Sequence, residues 1–223
     1  MKRLLASVFA LVGIGSSAQP QQRVQSFDPN SILFSTPTLS NDIATLEPVA
    51  HEPSQSDIVF NEDEWSQVEF FPKTQISNIK RILIDYKAFE QAHRTKHGWR
   101  KVYLRKVDRA PVVTGSQPVQ QLESVLGVKA GSSPILTSSG AISGRIKNGF
   151  SLALGGNVTL YGYVVGQGIP VLGASVGQNP DDLKLTQAFI KLNSSNGLVL
   201  VDWRSQLVLM SVSASGQVDV WKP

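Results

Sequence analysis

From residue 76 to 89 the apolar positions fall three and four apart. Ile76, Ile79, Ile82, Leu83, Tyr86 and Phe89 make one continuous stripe, which predicts an amphipathic helix packed on a core through that side. His93, Arg94, Lys96 and His97 then read as cations at the negative end of this helix, and Gly98 as the left-handed residue that closes it. Pro118 opens a second, shorter helix with Val119, Leu122, Val125 and Leu126 on one side and Gly127 as its stop. Short β-rich runs flank the helices: Ile58-Val59-Phe60, then Val68-Glu69-Phe70-Phe71 halted by Pro72, then Trp99 to Asp108 with basic residues interleaved.

Beyond Lys129 the pattern changes. Runs near 142–154, 157–165, 169–176, 185–192, 197–203, 206–213 and 217–221 read as strands separated by Gly, Ser and Asn turns. Seven short strands at intervals of about ten residues predict a sandwich or a small barrel. The fold class expected is therefore α+β: a small N-terminal βαβα part over 57–128, followed by an antiparallel β-rich sandwich or small barrel over 129–223.

The first 56 residues show neither periodicity. Lys2 and Arg3 precede an apolar run from Leu4 to Ile14, and Gly15, Ser16, Ser17 and Ala18 follow, the layout of a secretory signal peptide over 1–18. Pro20, Pro29, Pro37, Pro48 and Pro53 recur among Gln, Ser, Thr and Asn, so 19–56 reads as a Pro-rich extended linker. After cleavage no later segment reaches the roughly 18 apolar residues of a membrane helix. The expected location is periplasmic or extracellular. An apolar content of 41% can fill a core, and the absence of cysteine excludes thiol chemistry, cysteine-held metal and a lipidated N-terminal cysteine. A cysteine-free exported chain fits a bacterial envelope better than a eukaryotic secretory route. Asn157-Val-Thr159 and Asn193-Ser-Ser195 match the glycosylation sequon, a tripeptide common by chance.

Charge sharpens the picture by its distribution. Asp42, Glu47, Glu52, Asp57, Glu62, Asp63, Glu64 and Glu69 lie between Arg23 and Lys73, a stretch without Lys or Arg. From Lys80 to Arg109 ten Lys or Arg face only Asp85, Glu90 and Asp108. Within it, Arg94, Lys96, Trp99, Arg100, Lys101, Tyr103, Arg105, Lys106 and Arg109 form a basic stretch with aromatics, the candidate binding surface. Such a set attracts polyanions by charge and ring stacking. Two plainer roles compete: solvating an exposed edge strand, or pairing with the chain's own acidic segment at 57–69.

The catalytic motifs are incomplete. Gly173-Ala-Ser175-Val-Gly177 fits G-x-S-x-G, but Gly177, Asn179 and Pro180 oppose an immediate helix and no histidine follows His97. Ser77-Asn-Ile-Lys80 has the S-x-x-K spacing without the supporting S-D-N and K-T-G elements. His93 and His97, four apart, have Arg94 where a zinc protease has glutamate. Asp181-Asp182 reads as turn chemistry, and the acids after residue 110 (Glu123, Asp181, Asp182, Asp202 and Asp219) give no paired-carboxylate arrangement. No catalytic, metal or cofactor residues are assigned. The expectation is an exported, non-catalytic binding or assembly component of a bacterial envelope, surface or secretion apparatus. Its partner would be an envelope protein or an anionic envelope polymer, with nucleic acid only if it serves a DNA transfer system. An envelope hydrolase with an unrecognised site and an outer-membrane β-barrel are the alternatives.

Overall fold

In the computed structural model, residues 33–42, 44–50, 52–54, 57–213 and 215–223 are described. The leader expected over 1–18 and the linker as far as residue 32 lie outside the described residues. The chain runs β1 (Thr38–Ser40), β2 (Leu46–Glu47), β3 (Val59–Asn61), β4 (Val68–Pro72), α1 (Ile76–His93), β5 (Arg94–Thr95), β6 (Gly98–Trp99), β7 (Tyr103–Arg105), β8 (Val113–Thr114) and α2 (Pro118–Leu126). It continues through β9 (Ala130–Gly131), β10 (Ile135–Ser138), β11 (Ala141–Ile146), β12 (Gly149–Gly155), β13 (Val158–Val165), β14 (Gly168–Val176), α3 (Asp182–Asn196), β15 (Leu198–Asp202), β16 (Leu207–Val212) and β17 (Val218–Trp221). The fold is mixed α+β and mostly β, with largely antiparallel sheets.

Phe70 and Phe71, adjacent on β4, show how it is layered. Successive strand residues face opposite sides. Phe70 packs with Leu122 and Leu126 of α2 and with Ala188, Phe189 and Leu192 of α3. Phe71 packs with Ile79, Ile82, Leu83 and Tyr86 of α1. β4 lies within a nine-stranded antiparallel sheet ordered β17-β16-β15-β4-β14-β13-β12-β9, with β8 paired to β14. A second sheet, β2-β11-β10-β3, supplies Leu136 and Ile146 to a cluster with Trp65, Tyr161 and Val171. Register places that cluster on the Phe71 side, because Glu69 and Tyr161 both lie opposite Gly173. One face of the large sheet is thus covered by α2 and α3. The other is shared between α1 and the small sheet.

Several expectations change. The run Leu185–Leu192, read as a strand, belongs to α3: Leu185, Ala188, Phe189 and Leu192 recur at helical spacing and pack inward. Asp181 caps this helix by accepting from the Leu183 N–H at 3.0 Å, and Gly197 closes it at φ +64°. The single strand expected over 142–154 is two strands of different sheets, β11 and β12, with the chain turning between them at Asn148, φ +51°. α1 ends at His93, so Arg94, Lys96, His97 and Gly98 lie beyond it. Gly98 instead stands in the β5–β6 hairpin at φ +150°, where an added Cβ would meet the Phe34 carbonyl oxygen at 2.6 Å. The expected strand from Trp99 to Asp108 is broken into β6 and β7.

The segments also interlock. Phe34 exchanges both backbone hydrogen bonds with Trp99, β1 pairs in parallel with β7, and β2 pairs with β11. The proline-rich stretch is therefore bound to the fold at Phe34, Thr38–Ser40 and Leu46–Glu47, where neighbouring strand edges satisfy its backbone. β4, from the 57–128 segment, lies between β14 and β15 of the 129–223 segment, so the two share one sheet. That sheet is open, with β17 at one end and β9 at the other. No described helix is long and apolar enough to cross a membrane.

Candidate functional site

Between α1 and the small sheet, the shared face of β4 carries a carboxylate. Glu69 is fully buried. Its Oε2 accepts from Arg109 Nη1 at 2.6 Å and its Oε1 from the Trp203 indole N–H at 2.7 Å. Arg109 Nε also donates to Asp42 Oδ2 at 2.9 Å. Beside them the buried Arg105 donates to Thr38 Oγ1 at 3.0 Å and to the Ser66 carbonyl at 2.9 Å, with its guanidinium 5.0 Å from the Trp203 ring. Isolated buried charges are costly, so such groups persist only when paired and hydrogen-bonded.

Titration follows the same logic. Burial pulls the Arg105 guanidinium down to about 10, only partly opposed by Glu69, and it stays charged at neutral pH. Burial also acts downward on Arg109, but Glu69 and then Asp42 outweigh it and the net shift is upward. Both carboxylate oxygens of Glu69 are engaged and the residue is closed off from solvent. The cluster is a clamp joining residues 38–42, β4 and β7.

The nine residues of the basic stretch consequently divide. Arg105 and Arg109 turn inward and are not part of the surface expected of them. Tyr103 is half-buried against Tyr86 and Phe89, at ring separations of 5.2 and 5.3 Å. Arg94, Lys96, Arg100, Lys101 and Lys106 remain exposed, and Trp99 is half-buried. For Tyr103 and Arg105 strand alternation is the cause: both lie on the inner face of β7, and Leu104 between them points out. The pairing of basic stretch with acidic segment is realised at one point, Arg109 with Glu69.

Two clefts adjoin at Arg94, Trp99 and Ser35. One, about 470 Å³, brings Asp63, Glu64 and Glu90 together with Arg94 and Arg204. Arg204 pairs with Glu64 at 3.2 Å and Arg94 loosely with Glu90 at 3.7 Å, while Asp63 accepts from Thr36 Oγ1 at 3.0 Å. The other, about 370 Å³, curls around the β5–β6 hairpin and is lined by Ser35 and residues 94–99, with no carboxylate among them.

The remaining motifs have structural roles. Ser175 stands in β14 opposite Thr159, within a strand rather than on an elbow. Gly173 is glycine for packing: a Cβ there would lie 2.5 Å from the Tyr161 ring, whose hydroxyl accepts from the Ser66 N–H at 2.9 Å. Lys80 Nζ sits 5.0 Å from the Trp221 ring centre, drawn to that ring. His93 contacts the Phe89 ring, and His97 lies past the helix end, so the two do not share a helical face. Trp203, Ser35 and Arg204 carry no signal in the sequence, and Asp42 and Glu69 stand there as members of the acidic stretch. Glu69 carries one further signal, as an acid inside the apolar run Val68–Phe71. No protein-family model, curated protein or solved structure matches this chain.

Proposed function

We propose that the protein is an exported, non-catalytic binding or assembly component of a bacterial envelope, surface or secretion apparatus, working in the periplasm or outside the cell. The observation that carries this reading is the outward set Lys96, Arg100, Lys101 and Lys106. All four are exposed and make no ion pair among the described residues. Cations left unpaired on one stretch favour an external anionic partner. The leader-like residues 1–18 support export, and the open, helix-covered sheet favours this reading over a membrane barrel.

The test replaces Lys96, Arg100, Lys101 and Lys106 with Glu and compares capture of envelope components from native cells. Loss of the captured partner with an unchanged melting temperature is expected. Undiminished capture overturns the reading. N-terminal sequencing of the protein from its host checks export independently, and a chain still starting at Met1 in the cytoplasmic pool sinks that part.

A further inference from the structure

We infer that the cleft around the β5–β6 hairpin is a seat for a phosphoryl group. The inference deepens the reading above and rests on it for the source of the phosphate, not for the chemistry of the seat.

The charge of the cleft is one-sided. Its ionisable lining is Arg94, Lys96 and His97, and the three acids of the neighbouring cleft, Asp63, Glu64 and Glu90, do not line it. Among the described residues, Arg94 is the only cation there with a carboxylate partner, and that contact is loose: 3.7 Å, with the arginine side chain 67% exposed. A guanidinium held at that distance in water contributes little to stability and is free to turn to a ligand. Arg94 and Lys96 offer charged N–H donors and Ser35 adds a hydroxyl, so donors reach the cleft from both the hairpin and the N-terminal segment. A tetrahedral group with three terminal oxygens uses donors supplied from two segments better than a planar carboxylate with two.

The frame is fixed in advance. Thr95 Oγ1 donates to the Gly98 carbonyl at 2.8 Å and accepts from the His97 N–H at 3.2 Å, tying the hairpin tip to itself. Phe34 and Trp99 exchange backbone hydrogen bonds of 2.9 and 3.0 Å, which holds Ser35 against the hairpin. The negative end of α1 would repel an anion, but its last carbonyl, on His93, accepts from the Arg100 N–H at 2.9 Å. Two full positive charges outweigh what remains of that partial charge.

The test titrates the full chain with inorganic phosphate and follows the backbone amide resonances of Thr95 to Trp99, with sodium chloride at equal ionic strength as the control. Saturable shifts confined to the hairpin and Ser35 are expected. Lys96→Ala weakens the titration about tenfold, the loss of one charge-assisted hydrogen bond, and Lys96→Arg keeps it. Shifts that match the chloride control, or that ignore Lys96→Ala, overturn the seat. Lys96 is exposed, so a folding defect does not confuse the result.

Co-sedimentation with phosphatidylcholine vesicles carrying phosphatidic acid then separates the sources. Pelleting that free phosphate competes away assigns a lipid headgroup. Phosphate binding without pelleting assigns a soluble phosphorylated molecule, and both outcomes uphold the seat. Phosphate binding in a protein whose native capture ignores the four-Glu substitution would sink the proposed function while leaving the seat. The converse result would sink the seat alone.

Discussion

Arg105 and Lys106 are neighbours in the chain and have opposite fates. Arg105 is wholly buried, bonded to Thr38 and Ser66 and laid against Trp203, while Lys106 stands in solvent without an ion-pair partner among the described residues. Arg109 and Lys101 repeat the contrast. Positive charge in this stretch does two jobs, and residue type partly anticipates them. Both inward cations are arginines, whose planar donors satisfy several acceptors at once, whereas a lysine head stays hydrated more easily. A basic stretch is therefore not one surface until each residue's partners are known.

The sharpest way to break this contrast is at Glu69. Glu69→Ala leaves Arg109 without its buried partner and is expected to destabilise the fold by about 3–5 kcal/mol in urea unfolding. Combining Glu69→Met with Arg109→Met should recover part of that loss, the Trp203 indole N–H being left without its acceptor. A single substitution costing under about 1 kcal/mol would remove the clamp from the account.

Arg105→Met comes next. It strips donors from Thr38 and the Ser66 carbonyl and should cost about 1–3 kcal/mol, against no measurable change for Lys106→Met. Equal effects at the two positions would erase the contrast.

Alkaline titration probes the same interior. Burial, the leading cause, raises the Tyr86 phenol to about 12, above its ordinary value near 10. A raised folded-state pKa means the stabilisation is complete below pH 10 and is lost as pH climbs through 12. Circular dichroism should show unfolding in that window, with the Tyr86-linked part of the pH dependence missing in Tyr86→Phe. The smallest effect belongs to the outer set: Lys96, Arg100 and Lys101, changed singly to Gln, should each shift stability by no more than about 0.5 kcal/mol. A larger loss at any of them would mean that residue is holding the fold.

What could be read from sequence divides along the same line. α1 and α2 were legible because a helix writes its buried face at local spacing, and Pro118 and Gly127 marked the limits of the second. α3 was missed because Leu185 to Leu192 is short and β-compatible, although its capping Asp181 was in view as a turn residue. The inward turn of Arg105 and Arg109 was not legible. β7 is three residues long, too short to display alternation, and the deciding partners, Thr38, Ser66, Glu69 and Asp42, lie far away in the chain. The hairpin cleft is hidden for a related reason: its basic residues read in sequence as the end of a helix, which stops at His93.

The place of β4 sets the order in which the molecule can be completed. Its register joins Glu69 to Gly173 on one edge and Phe71 to Val199 on the other, so both flanks are supplied by residues made long afterwards. A chain emerging from its N-terminus must carry an apolar strand, already synthesised and bare along both edges, until the last quarter of the polypeptide arrives. Such distant pairing slows folding and exposes the intermediate to self-association. Truncation before residue 198 would leave the middle of the sheet unfinished and the protein in need of a holding chaperone.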